Sequence, residues 1–111
     1  MQKENSAAIV DILKVLSNDT RLSMLGLLNL KDCNVGEFTE IFNLTQPAIT
    51  HHLRILKNAD LIYDVKKGPW TVYSINRENI YFPLVQDILN HFPNQEDKLD
   101  WLEQHGLRII Y

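Results

Sequence analysis

At Leu61 the apolar residues change their spacing, and that change constrains the fold more than any other feature of the chain. Upstream, Ile49, Leu53 and Leu56 recur at three- and four-residue intervals, the period of a helix that runs to about Asn58. Thr45 is placed to cap this helix, and Pro47 sits in its first turn, where a missing N–H is harmless. Before it, Asn43-Leu44 reads as a tight turn and Val35–Phe42 as a short helix carrying Phe38, Ile41 and Phe42. Downstream, Leu61–Lys66 and Trp70–Ile75 read as strands joined at Lys67-Gly68-Pro69, a hairpin with a basic tip. A short helix, a tight turn, an amphipathic helix and a basic hairpin together describe a winged helix-turn-helix.

The flanks are helical. A first helix is expected over about Ser6–Leu16, with Ile9, Ile12, Leu13 and Leu16 on one face. Ser17-Asn18-Asp19 breaks it, and a second helix follows over about Thr20–Leu28, with Leu22, Leu25 and Leu28 inward. Asp32-Cys33-Asn34 reads as a loop. After the hairpin, Asn76 is expected to cap a helix over about Arg77–Phe92, with Ile80, Leu84, Val85, Ile88 and Leu89 apolar and Pro93 as its stop. Gln95–His105 reads as a last helix halted by Gly106, and the apolar Leu107–Tyr111 segment is expected to pack against something. The fold class is mainly α (α+β), five to six helices and one hairpin, in a single domain over residues 1–111. So short a chain covers its apolar faces incompletely, which makes Ile9, Leu13, Leu16, Leu84, Ile88 and Leu89 candidates for contact with a second copy. No apolar run is long enough for a bilayer span or a secretory signal, so the expected location is the cytoplasm, with no membrane partner.

Net charge is −3, which taken alone disfavours nucleic acid. The distribution reverses that reading. Between Asn43 and Arg77 five basic residues face two acids, a local charge of +3, and the remainder carries −6. A basic face on an acidic body suits a DNA-binding domain, because only the docking face meets phosphate. With Ile49, Leu53 and Leu56 turned inward, Gln46, Pro47, Thr50, His51 and Arg54 share the opposite face, with Thr45 at its start. Arg pairs with guanine, Gln with adenine, and a Thr methyl meets a thymine methyl in the major groove. Lys57 lies further along, at phosphate height, and Lys66 and Lys67 sit on the hairpin tip. The plain alternatives are a solvated surface helix and edge-strand lysines that discourage aggregation.

Three stretches carry a likeness to a known family: Leu16-Ser-Asn-Asp-Thr-Arg-Leu22, the run from Leu44-Thr-Gln-Pro to Asn58-Ala-Asp-Leu61, and Lys67-Gly-Pro-Trp-Thr-Val-Tyr-Ser-Ile75. In this order they resemble the ArsR/SmtB family of bacterial repressors, over about Ile9–Phe92. The resemblance implies a homodimer built on the first and fifth helices that binds a palindromic operator in double-stranded DNA. It implies contact through Gln46, Pro47, Thr50, His51 and Arg54, the set already reached from the helix face.

The likeness fails at the family's sensing sites. Where many members carry Cys-x-Cys, this chain has Asn34-Val35-Gly36, and Cys33 has no partner cysteine. Where others place Asp and His ligands on the fifth helix, it has Arg77, Asn79, Asn90 and Pro93. Soft ions require thiolate groups, so no metal and no cofactor is expected, and the inducer is not specified. Three alternatives stay open: a metal-responsive repressor using Asp87 and His91, a redox role for Cys33, and a winged-helix module that binds protein. No phosphate loop, catalytic triad pattern or H-E-x-x-H is present, so no enzyme is expected.

Overall fold

The computed structural model describes residues 3–111, so Met1 and Gln2 of the expected domain lie outside it. Within it run helices α1 (Lys3–Leu16), α2 (Asp19–Leu30), α3 (Val35–Phe42) and α4 (Gln46–Asn58), strands β1 (Ile62–Lys67) and β2 (Trp70–Ile75), and helices α5 (Phe82–Asn90) and α6 (Glu96–Gln104). This is the winged helix-turn-helix expected from the sequence. Among the described residues no helix is long and apolar enough to cross a membrane.

Helix α2 is the post around which the others stand. Asn18 caps it, its side chain accepting from the Arg21 N–H at 3.0 Å, and Met24, Leu25, Leu27 and Leu28 are buried. Helices α1, α4, α5 and α6 and strand β2 all pack on it. Gly26 leaves room for α6, since a Cβ there would stand 2.8 Å from Cγ of the buried Gln95. Around this post Phe38 of α3 and Ile49, Leu53 and Leu56 of α4 complete the core.

The hairpin pairs antiparallel from Ile62↔Ile75 to Lys67↔Trp70, one residue later on its first strand than the sequence suggested. Asp60, at φ 60°, still belongs to the turn, and the Leu61 N–H reaches back to the Leu56 carbonyl at 3.1 Å. Gly68 opens the two-residue turn with φ 60°, the positive value that primed hairpin turns require. Cys33 exchanges both backbone bonds with Tyr73, at 3.2 and 2.8 Å, and so sews the α2–α3 loop to the wing.

Helix α5 departs most from expectation. It begins at Phe82 and ends at Asn90, not over Arg77–Phe92. Asn76 caps a turn instead of a helix: its Oδ1 accepts from the Glu78 N–H at 3.1 Å, and Asn79 Oδ1 accepts from the Tyr81 N–H at 2.7 Å. Both amides also donate to the Asp60 carbonyl, at 2.9 and 2.8 Å, which holds this run of turns beside the end of α4. Arg77 lies across the end of α2, bonded to the Asn29 side chain and carbonyl at 3.0 Å each. Ile80, expected in the apolar stripe, is consequently 83% exposed.

The closing segment does pack, through Leu107 against the core and, beyond it, mainly through polar groups. Glu37 is 2% exposed. Its carboxylate accepts from the Asn34 N–H at 3.0 Å, completing a capping box with Asn34, and from the Ile109 N–H at 3.0 Å. The Arg108 guanidinium and the Tyr111 hydroxyl also donate to it, and Arg108 reaches the Asp32 carbonyl at 3.1 Å. Ile110 meanwhile points into solvent. Removing one partner of a buried ion pair strands the other, so Glu37→Ala should lower stability to urea by about 3 kcal/mol. A loss below about 1 kcal/mol, the worth of one ordinary hydrogen bond, would show that the carboxylate does not hold the segment.

Candidate nucleic-acid interface

Helix α4 is presented by the turn before it. Asn43 takes up the left-handed conformation (φ 52°, ψ 42°) that Asn tolerates, and so reverses the chain after α3. Thr45 then caps α4, its Oγ1 accepting from the Ala48 N–H at 3.3 Å. With Ile49, Leu53 and Leu56 buried, Thr45, Gln46, Pro47, His51 and Arg54 are exposed and Thr50 is half-buried. The face contains no acid.

The three lysines expected beside it are not equivalent. Lys57 Nζ lies 2.8 Å from Asp64 Oδ1, tying the end of α4 to β1, and this bond with the carboxylate's charge raises the Lys57 pKa. A phosphate would have to compete with Asp64 for it. Lys66 and Lys67 are consecutive strand residues, so they leave the hairpin on opposite faces. Lys66 shares its face with Asp64 and so stands on the α4 side. Lys67 borders a cleft with Lys31, Asp32 and the Arg108–Tyr111 segment.

The apolar residues assigned to self-contact separate in a similar way. Ile9 and Leu13 are exposed on α1, together with Val10. Leu16 is a correction: it is 4% exposed and closes its own chain's core beside Ile12. One helical face in the sequence is thus two adjoining stripes, one turned in and one turned out. Leu84, Ile88 and Leu89 are half-buried against the core.

The remaining candidates are placed as follows. Asp87 and His91 are both exposed, and His91 is the residue after the last turn of α5. Among the described residues no three His, Cys, Asp or Glu side chains gather as a metal site would need. Cys33 is fully buried, and burial first, then the charge of Glu37, push its thiol up to about 12; Arg108 opposes them, and Asp32 adds a lesser push. His51 is exposed, whereas His52 is half-buried with Nδ1 3.3 Å from Arg21 Nη1. Sequence reasoning missed the Asn34–Glu37 capping box, although its N-x-x-E spacing was visible, and missed Arg21, which only its partners reveal.

A recognition helix seated after a turn, beside a basic hairpin and on an acidic body, defines a winged helix-turn-helix DNA-binding protein. Residues 18–64 match the bacterial regulatory protein arsR family. The chain is 38% identical over 90 residues to the transcriptional repressor SdpR of Bacillus subtilis (strain 168), covering 81% of this chain and 94% of that one. It is 35% identical over 80 residues to the arsenical resistance operon repressor of Staphylococcus xylosus, covering 71% and 77%. Among solved structures, reduced HlyU from Vibrio cholerae N16961 superposes with a TM-score of 0.71 at 26% identity, over 81% of this chain and 94% of that one. The chain belongs to the ArsR family of bacterial regulatory proteins: it is a transcriptional regulator and not an enzyme.

The His52 environment has a consequence for stability. Burial, then the charges of Arg21 and His51, lower its pKa below the ordinary 6.5. Below pH 6.5 the unfolded chain therefore takes up a proton that the folded chain refuses, and stability falls as the pH drops through that value. Urea midpoints between pH 7.5 and 5.5 should fall less for His52→Gln than for the native chain, and parallel curves would remove His52 from the acid response.

Proposed function

We propose that the chain is a cytoplasmic repressor that binds a palindromic operator as a homodimer, without control by metal ions. The observation that carries the reading is the acid-free face of α4, with Gln46, His51 and Arg54 exposed and Thr50 half-exposed beside Lys66. Such a face offers bidentate base contacts at Arg54 and Gln46, and phosphate contacts at Thr45, Lys57 and Lys66; Lys67, on the far side of the hairpin, reaches phosphate only if the wing tip itself lies on the backbone. A protein-docking face would be apolar at its centre, so DNA is the better occupant. Repression is supported by the relation to SdpR, named a transcriptional repressor.

Self-association is supported by Ile9, Val10 and Leu13, exposed on one turn and a half of α1, with Leu84, Ile88 and Leu89 on α5 as the companion surface. The independence from metal rests on ligand chemistry. Arsenite takes two to three thiolates and zinc about four ligands, whereas this chain has one buried cysteine and no second thiol.

Fluorescence anisotropy with an operator selected from random duplexes tests the DNA reading. Arg54→Ala should weaken operator binding by about 1–3 kcal/mol with little change for unrelated sequence, as expected of a base contact. Lys66→Ala should weaken both alike and reduce the salt slope by about 1. Unchanged binding in both variants would move the interface off α4 and the wing. For the homodimer, Leu13→Asp places a charge on an exposed residue, so the chain should stay folded and sediment as a monomer. A folded Leu13→Asp dimer would place the seam elsewhere.

A further inference from the structure

In the Leu16–Leu22 motif Asn18 caps α2 and Leu16 fills the core, whereas the three bonding nitrogens of Arg21 point to two other helices. Nε donates to the Val15 carbonyl at 2.6 Å, and Nη2 to the Lys14 carbonyl at 3.4 Å. These are carbonyls of the last turn of α1, which lack partners within the helix and attract a cation. Nη1 lies 3.3 Å from Nδ1 of His52. A guanidinium only donates, so His52 accepts at Nδ1 and carries its proton on Nε2. The charged neighbours of that ring are Arg21 from α2 and His51 from α4 itself.

We propose that Arg21 is a positioning residue that fixes the recognition helix α4 relative to the dimerisation helix α1, and thereby sets the half-site spacing the dimer accepts. This rests on the homodimer and palindrome reading above. Ile9 and Leu13 put the seam on α1, two turns or less before the carbonyls that Arg21 holds. His52 stands on α4 one and two residues from His51, Thr50 and Arg54, so fixing its ring fixes the rotation of the base-reading face. The path from seam to groove then runs along α1, through one guanidinium, to one imidazole. In a two-fold dimer each recognition helix must meet its own half-site, the two lying about one helical turn, roughly 34 Å, apart. A rigid joint rejects a site with one extra base pair; a loose joint admits it. Lysine cannot substitute, because a single ammonium does not span the carbonyls and the imidazole as a planar fork does.

The test uses three duplexes: the selected palindrome, the same palindrome with one base pair inserted at its centre, and a single half-site. The native chain should prefer the correct palindrome to the inserted one by about tenfold or more, as a single misplaced base pair commonly costs. Arg21→Lys and His52→Phe should keep half-site affinity within about twofold while the spacing preference falls to about threefold or less. The double variant should lose no more than either alone, since both break one joint. His52→Phe leaves the Arg21 bonds to α1 in place, so it carries the test if Arg21→Lys does not fold. His52→Gln, which restores an acceptor, should recover the preference. Full spacing preference in folded His52→Phe overturns the proposal, as does an equal loss on half-site and palindrome, which would mark the pair as scaffold. A native chain that binds the palindrome no better than the half-site fails earlier: it overturns the homodimer reading, and the joint with it.

Discussion

A buried carboxylate organises this structure. A charge withdrawn from water is tolerable only when each oxygen finds donors, and Glu37 draws its donors from its own helix start and from the end of the chain. The Asn34 N–H comes from the loop before α3; Arg108, the Ile109 N–H and Tyr111 come from the closing segment. Through Arg108 the same cluster reaches the Asp32 carbonyl, and one residue on, Cys33 is paired with Tyr73 of the wing. The start of the helix-turn-helix, the hairpin and the end of the chain therefore meet at one point. A buried pair of this kind adds little net free energy compared with an apolar filling, but it admits few arrangements. The placement of the α2–α3 loop beside the wing follows from that restriction.

Electrostatics divide the molecule between holding itself together and holding a partner. Arg108 and Arg77 are engaged within the chain, on Glu37 and on the exposed end of α2. Lys57 is shared with Asp64 at the junction of α4 and the wing. Arg54 and Lys66 are thereby left as the exposed cations beside the polar face of α4. Ion pairs at such exposure contribute little to stability and are screened by salt, so Asp64 would release Lys57 to a competing anion at small cost.

Most of the helix-turn-helix and wing was legible in the residues. The Thr45 cap, Pro47, the Ile49–Leu53–Leu56 stripe and the Gly68 turn are local signals, and each lies within one element. The errors are as specific. Asn76 reads as a helix cap, because an Asn before a periodic run suits that role; it suits an Asx turn equally well, and the Asp60 carbonyl decides between them. Leu16 falls with Ile9 and Leu13 in the sequence because all share a helical period. Which half of a broad apolar face turns inward depends on where α2 lies, and no period records that.

The sequence by itself determined the order of elements, the polar face of α4 and the separation of basic face from acidic body. Helical and strand periods, caps and turns act over a few residues, so their causes sit beside their effects. Only the tertiary structure decided what Glu37, His52 and the final residues do. The partners of Glu37 in the closing segment lie 71 to 74 residues away, and Arg21 is 31 residues from His52. A hydrogen bond between groups so far apart leaves no spacing to read, because its geometry is made by the packing of the helices that carry them.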